Sequence, residues 1–148
     1  MNTKNDSTWL GLENRVCVVT GAGSGIGAGI ARAFAEAGAK VALVDWNIDA
    51  AQTFAAELRA GGAAAEAFSC DVSDEQSVNA AADAVRAALG PVGALVNNAG
   101  LLRAGSLETV TLDEWNQSLA VNLTGYLLCA RAFGRDMLEA VSYTHLRA

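Results

Sequence analysis

The sequence predicts an α/β protein built as a doubly wound parallel sheet, on three observations. Four short apolar runs alternate with segments of helical apolar spacing. That alternation gives a parallel sheet with helices on both faces and right-handed crossovers. The run over residues 40–45 is too continuously apolar for a sheet wetted on one side, so it is buried on both faces. The glycine-rich stretch Thr20-Gly21-Ala22-Gly23-Ser24-Gly25-Ile26-Gly27 falls where the first strand turns into the first helix, the end of the sheet at which such folds hold ligands.

Each element carries its own signal. Residues 1–11 read as a flexible arm, with Trp9 and Leu10 docking on the body. The domain then runs over 12–140. Its first strand covers about residues 15–19 and its first helix 24–37, with Ile26, Ile30, Ala33, Phe34 and Ala37 at helical spacing and Gly38 as the stop. After the strand at 40–45, Asn47 caps a helix whose inner face is Ala51, Phe54, Ala55 and Leu58, ended by Gly61-Gly62. Residues 63–70 form the third strand. Ser73 then caps the third helix with Gln76 completing a capping box, over a stripe of Val78, Ala81, Ala82, Val85 and Leu89. Gly90-Pro91 breaks it, and the fourth strand follows at 94–97. Thr111, with Glu114 in box position, starts a long helix reaching about residue 137. Leu119, Val121, Leu123 and Leu127 surround its middle, which predicts burial on more than one side.

Composition narrows the class. The 148 residues are 52% hydrophobic with a formal charge of −6, which suits a globular domain and excludes a phosphate-backbone binder, so no nucleic-acid partner is expected. The first eight residues lack the apolar core of a secretory signal, and no run approaches a membrane span. Cys17, Cys70 and Cys129 are far apart and form no metal or redox motif. They read as small core hydrophobes in a reducing cytoplasm, and no metal is expected.

The residues that carry chemistry stand just after strands. Gly21 permits the tight turn, Gly25 lets phosphates approach the backbone, and Gly27 lets the helix pack closely on the strand. The helix N-terminus that begins with Ser24, Gly25 and Ile26 offers unpaired N–H groups and partial positive charge to a pyrophosphate. Asp45 ends the second strand, where a carboxylate accepts from both hydroxyls of an adenosine ribose. It would repel a 2′-phosphate: two unit charges 4 Å apart at an effective dielectric of 20 repel by about 4 kcal/mol. No Arg or Lys follows it, which favours NAD over NADP. Asp71 offers an acceptor to the adenine amino group, and the Val72 N–H offers a donor to the ring. In Asn97-Asn98-Ala99-Gly100 the amides tie neighbouring strands, and the small residues leave room for the nicotinamide ribose. Leu101, Leu102 and Arg103 follow within reach of a substrate, but an apolar loop beside an Arg is too common a pattern to assign a role. Asn122 is a polar amide in the apolar middle of a helix, expected to hold a water or to interrupt the backbone ladder.

Together, Thr20-Gly21 with Gly25-Ile26-Gly27, Asp45, Asp71-Val72, Asn97-Asn98-Ala99-Gly100 and Val121-Asn122-Leu123 stand in the order and spacing of the short-chain dehydrogenase/reductase family. The chain resembles that family over about residues 10–138. The resemblance implies a Rossmann fold, a nicotinamide dinucleotide, and hydride transfer between a small-molecule alcohol and a ketone. It implies a homo-oligomer for the full-length parent. It also makes Asn122 the amide member of an Asn-Ser-Tyr-Lys tetrad, holding the proton-relay water.

In that family a further strand brings the Ser, and a following helix brings a Tyr-x-x-x-Lys pair. This chain ends at Ala148 before that strand, so it reads as truncated after the fourth strand and long fourth helix. Tyr143 and Arg147 stand four apart, but no apolar strand or Ser precedes them in the required place, and Arg differs from Lys in shape and acidity. Residues 141–148 resemble a translated sequencing-adapter read-through, which leaves His145 without a role. The expected piece is an inactive cofactor-binding portion of an NAD-dependent oxidoreductase, with its fourth strand an exposed edge and poor solubility. The alternative is a non-catalytic NAD-binding or interaction protein on the same fold.

Overall fold

The computed structural model describes residues 10–103 and 105–139. The expectations placed on Trp9, on Tyr143 with Arg147, on His145 and on the tail lie outside those residues. Strands β1 (Val16–Thr20), β2 (Lys40–Asp45), β3 (Ala65–Ser69) and β4 (Val92–Val96) form one parallel sheet in the order β3-β2-β1-β4. Helices α1 (Gly25–Glu36), α2 (Ile48–Ala60) and α3 (Glu75–Leu89) cross between them, and α4 (Leu112–Leu119) and α5 (Gly125–Glu139) follow β4.

Strand alternation divides the core in two. Cys17, Val19, Val41 and Leu43 face α1 and α2, packing on Ala31, Ala51, Phe54, Ala55 and Leu58. Val16, Val18, Ala42 and Val44 face α3 and α5, packing on Val78, Ala81, Ala82, Val85, Cys129 and Phe133. The double burial expected of residues 40–45 follows directly.

The local signals act largely as read. Gly38 adopts φ +80°, and the Asn47 side chain accepts from the Ala50 N–H at 3.1 Å. Thr111 and Glu114 make both bonds of a capping box. Strand β4 begins earlier than expected, at Val92. A register shift opposite Val16 and Cys17 admits Gly93, and the Val92 N–H is held by the Asp136 carboxylate at 2.9 Å.

Four expectations need correction. Asp74, not Ser73, caps α3: its Oδ1 accepts from the Gln76 and Ser77 N–H groups at 2.7 and 3.2 Å. Ser73 is already engaged, since both its N–H and its hydroxyl donate to Asp71 Oδ1, and a carboxylate also suits the positive helix end. Replacing Asp74 by Ala is expected to cost about 1 kcal/mol, and Ser73→Ala less than half of that, read as shifts in the urea midpoint. Secondly, the buried stripe of α1 runs through Gly27 and Ala31, leaving Ile26 and Ala33 exposed. Thirdly, Leu10 is exposed rather than docked.

The fourth correction concerns the long helix. It is interrupted by a π-turn at Ala120–Thr124. Its core face is Gly125, Cys129, Phe133 and Asp136. Leu123 and Leu127, expected to be buried, are 65% and 58% exposed; Leu119 is exposed and Val121 half-buried. Among the described residues nothing packs on that second side, so an all-round apolar pattern meets the core on one face alone.

Candidate functional site

The carboxyl ends of β1, β2, β3 and β4 open into a cleft of ≈ 690 Å³, lined by the glycine-rich loop, residues 44–47, residues 70–73 and residues 98–101, with Arg103, Gln117, Ala120 and Val121 at one end. That volume is in the range of ordinary ligand sites.

The loop is set by contacts on three sides. Gly21 takes φ +66°, and its N–H donates to Val44 O at 2.8 Å. A Cβ on Gly27 would lie 2.0 Å from Gly21 O and 2.6 Å from Asn98 Nδ2. Gly25 differs: it takes φ +56°, and a Cβ there would meet nothing within 4 Å. Its openness is what a phosphate approaching the backbone requires. Ser24 stands at the N-cap of α1 with extended backbone, yet its side chain makes no capping bond, and no acid lies in the first turn. The leading N–H groups of α1 are thus not taken up by a side chain of the helix.

Thr20 enters the sequence reading only as the head of the glycine-rich stretch, with no role given to its hydroxyl. Its buried Oγ1 accepts from the Asn98 and Ala99 N–H groups, both at 3.0 Å, and donates to Val96 O at 3.4 Å. Asn98 Nδ2 returns to Thr20 O and Gly21 O at 3.0 and 3.2 Å. This reciprocal latch fixes Asn98, Ala99 and Gly100 against the loop. The available signal was a hydroxyl closing an otherwise apolar strand. Thr20→Val keeps the shape and strands two donors, so we expect a loss of about 2 kcal/mol in chemical unfolding, with no loss on Ser substitution.

Asp45 is only 8% exposed. Its Oδ2 accepts from the Gly23 N–H at 2.8 Å and its Oδ1 from the Asn47 N–H at 2.9 Å. Each oxygen keeps a further lone pair. Asp71 lines the cleft and spends Oδ1 on Ser73, and the next residue, Val72, is buried. Trp46, which the sequence reading did not single out, lines the cleft and is 83% exposed. Leu101 and Arg103 line the far end, with Arg103 donating to Gln117 at 3.3 Å, whereas Leu102 faces away and is exposed.

Asn122 sits in the π-turn, and its residue is exposed rather than buried among apolar neighbours. Its Oδ1 accepts from Leu101 N–H at 2.7 Å and its Nδ2 donates to Leu101 O at 2.8 Å. The side chain therefore pins the loop after Gly100, and the interrupted backbone ladder lies beside the cleft. Asn97 donates to Tyr126 O at 3.3 Å, while its buried Oδ1 has no partner among the described residues.

Burial pushes the Cys70 thiol on the cleft floor up to about 11, the Cys17 thiol to about 11 and the Cys129 thiol to about 12. All three stay protonated at neutral pH and pack as apolar groups. Among the described residues no group of three or more His, Cys, Asp or Glu could hold a metal, and no helix is long and apolar enough to cross a membrane.

Comparison with known proteins adds sequence and structural likeness. The family model described as short chain dehydrogenase matches residues 15–142. D-threitol dehydrogenase of Mycolicibacterium smegmatis is 48% identical over 129 residues, covering 87% of this chain and 50% of that protein. A short-chain dehydrogenase/reductase from Burkholderia phymatum, solved in complex with NAD, is 36% identical with a TM-score of 0.83, covering 87% of this chain and 46% of its own. A metagenomic short-chain oxidoreductase, solved in complex with NADP, is 41% identical with a TM-score of 0.81, covering 87% and 59%. The chain spans about half the length of the curated relatives it matches.

Proposed function

The chain belongs to the short-chain dehydrogenase family, and from that premise we propose that the whole protein is an NAD-dependent oxidoreductase of secondary alcohols and ketones, with residues 12–140 as its cofactor-binding portion. The observation that carries NAD is Asp45. Its carboxylate closes β2 at the cleft wall with a lone pair spare on each oxygen and exposed Trp46, not a cation, next in the chain. Ser24, Gly25, Ile26 and Gly27 offer main-chain N–H groups to the diphosphate, and Gly21, whose own N–H is spent on Val44 O, shapes the turn that presents them. Asp71 and Val72 face the adenine, and Asn98, Ala99 and Gly100 the nicotinamide ribose. When bound, the nicotinamide supplies the hydride acceptor or donor. Asn122 orders the substrate end and the proton-relay water. The name of the M. smegmatis relative makes small polyols the first alcohols to assay. The exposed apolar side of α4 and α5 supports a homo-oligomeric parent, and three unpaired core cysteines support a cytoplasmic one.

Isothermal titration of the chain tests the cofactor. NAD should bind at least tenfold more tightly than NADP. Equal affinities would remove the choice of NAD, and no binding of either would remove the cofactor reading. A second reading, a non-catalytic NAD binder, is favoured by one observation: Asn122 spends its amide on the Leu101 backbone. Both readings give the same isotherm. Turnover of a polyol by the protein completed from its gene supports the enzyme, and inert protein that still binds NAD supports the binder.

A further inference from the structure

We propose that Asp45 is a positioning residue for the diphosphate loop as well as the reader of the adenosine ribose; the second half of this statement rests on the cofactor reading, the first half does not. The loop leaves β1 but is hung from the end of β2. Val44 O receives the Gly21 N–H at 2.8 Å and the Ala22 N–H at 3.4 Å. One residue on, Asp45 Oδ2 receives the Gly23 N–H at 2.8 Å, and Oδ1 receives the Asn47 N–H that begins the entry to α2. The carboxylate thus ties together two segments, 22 residues apart at the Gly23 bond.

The packing is close enough to be specific. A Cβ on Gly23 would stand 3.0 Å from Asp45 Oδ2, 3.2 Å from Ala50 Cβ and 3.3 Å from Ala51 N. Position 23 is therefore a glycine because the Asp45 carboxylate and the first turn of α2 lean on it. With Asp45 largely buried and Gly23 half-buried, the Gly23 bond is partly shielded from competing water, and a carboxylate acceptor makes it stronger than a neutral one. Gly23 lies directly before Ser24 and Gly25, whose N–H groups head α1. Loss of the Asp45 bond frees the middle of the loop, and the cost falls on diphosphate binding and not on the ribose alone. A consequence is that removing Asp45 to admit NADP weakens the site for both dinucleotides.

Two measurements on the full 148-residue chain decide it. In the ligand-free wild type, the Gly23 amide should exchange with deuterium at least tenfold more slowly than a free peptide. Exchange at the free-peptide rate overturns the proposal without any variant. In Asp45→Ser that protection should be lost, while Val85→Ala, a core truncation on α3 matched in lost Tm, should keep it. Protection retained in Asp45→Ser also overturns the proposal. The second measurement uses NAD and its 2′,3′-dideoxy-adenosine analogue, which lacks the hydroxyls Asp45 would read. If Asp45 only reads the ribose, wild type and Asp45→Ser bind the analogue equally. Loop positioning requires the variant to bind it about tenfold more weakly, and Asp45→Asn, which keeps one acceptor oxygen, to fall between. Equal binding of the analogue sinks the positioning role. Failure of wild type to bind NAD sinks the cofactor reading and leaves the exchange result standing.

Discussion

Gly27→Ala should unfold or nearly unfold the loop and abolish dinucleotide binding. The added methyl would lie 2.0 Å from Gly21 O, 2.6 Å from Asn98 Nδ2 and 2.8 Å from Gly21 C. Two of those atoms are backbone, and the third is held by bonds to Thr20 O and Gly21 O. None can rotate away, so α1 must slide off β1 or the Thr20–Asn98 latch must open. Overpacking alone costs up to about 3 kcal/mol, and opening the latch adds more. For a chain of this size that is a fall in Tm of about 10 °C or more. Two sister substitutions show that the effect belongs to the contact. Gly29→Ala, also in α1, meets nothing within 4 Å and should raise stability by about 0.5 kcal/mol. Gly25→Ala also meets nothing, but it must hold φ +56° and would place its methyl in open space beside Ser24, which lines the cleft. It should cost about 1 kcal/mol from strain and weaken NAD more than its stability loss explains. A Gly27→Ala chain with wild-type Tm and NAD affinity would mean that the loop does not pack as described.

The contrast among these glycines shows what a sequence can carry. Glycine, Asn and Thr signals at element ends act through atoms one to four residues away. Hence Gly38, Asn47 and the Thr111–Glu114 box could be read before any fold was known. Apolar periodicity likewise identified the faces of α2 and α3. What it does not carry is the neighbour. The pattern of α1 placed Ile26 inward, yet close approach at Gly27 rotates the buried stripe onto Gly27 and Ala31. Leu123 and Leu127 are as apolar as core residues, and nothing local tells that no described element meets them. Asp74 displaced Ser73 as a cap because Asp71 had already engaged Ser73, a competition of three adjacent groups that a capping rule applied singly does not resolve. Gly21, Asp45, Asp71, Asn98 and Gly100 line one cleft, whereas Gly25, Ile26 and Gly27 are not among its lining residues. The carboxylate's bond to Gly23 and the Thr20 hydroxyl latch, both long-range, became visible only in three dimensions.

An ion pair between α3 and α5 sets the second large expectation. Asp136 on α5, only 7% exposed, receives the Arg86 Nε on both oxygens at 2.7 and 2.9 Å and the buried Val92 N–H at 2.9 Å. Arg86 on α3 also donates to Ala132 O and pairs with Asp83 at 3.0 Å. One ion pair therefore clasps α3, α5 and the first residue of β4. Asp136→Asn should cost about 3 kcal/mol in urea unfolding, because it leaves a half-buried guanidinium short of its counter-charge. Arg86→Met with Asp136→Leu should cost less than either single change, since no charge is then stranded, although the Val92 N–H stays unpaired. The acid side gives an independent reading. Burial pushes the Asp136 carboxyl up, but the Val92 N–H, the Arg86 hydrogen bonds and the charges of Arg86 and Arg135 outweigh it and hold it below the usual carboxylate range. A carboxyl depressed in the folded state binds its proton less readily than in the unfolded chain. Its stabilisation is thus complete at neutral pH and disappears as the pH falls through the usual carboxylate range and on through the lower folded value. Unfolding midpoints measured from pH 7 downward should show that acid limb in the wild type and a flatter one in Asp136→Asn. Parallel limbs would assign the acid sensitivity to other carboxylates and reduce the clasp to a neutral hydrogen-bond network.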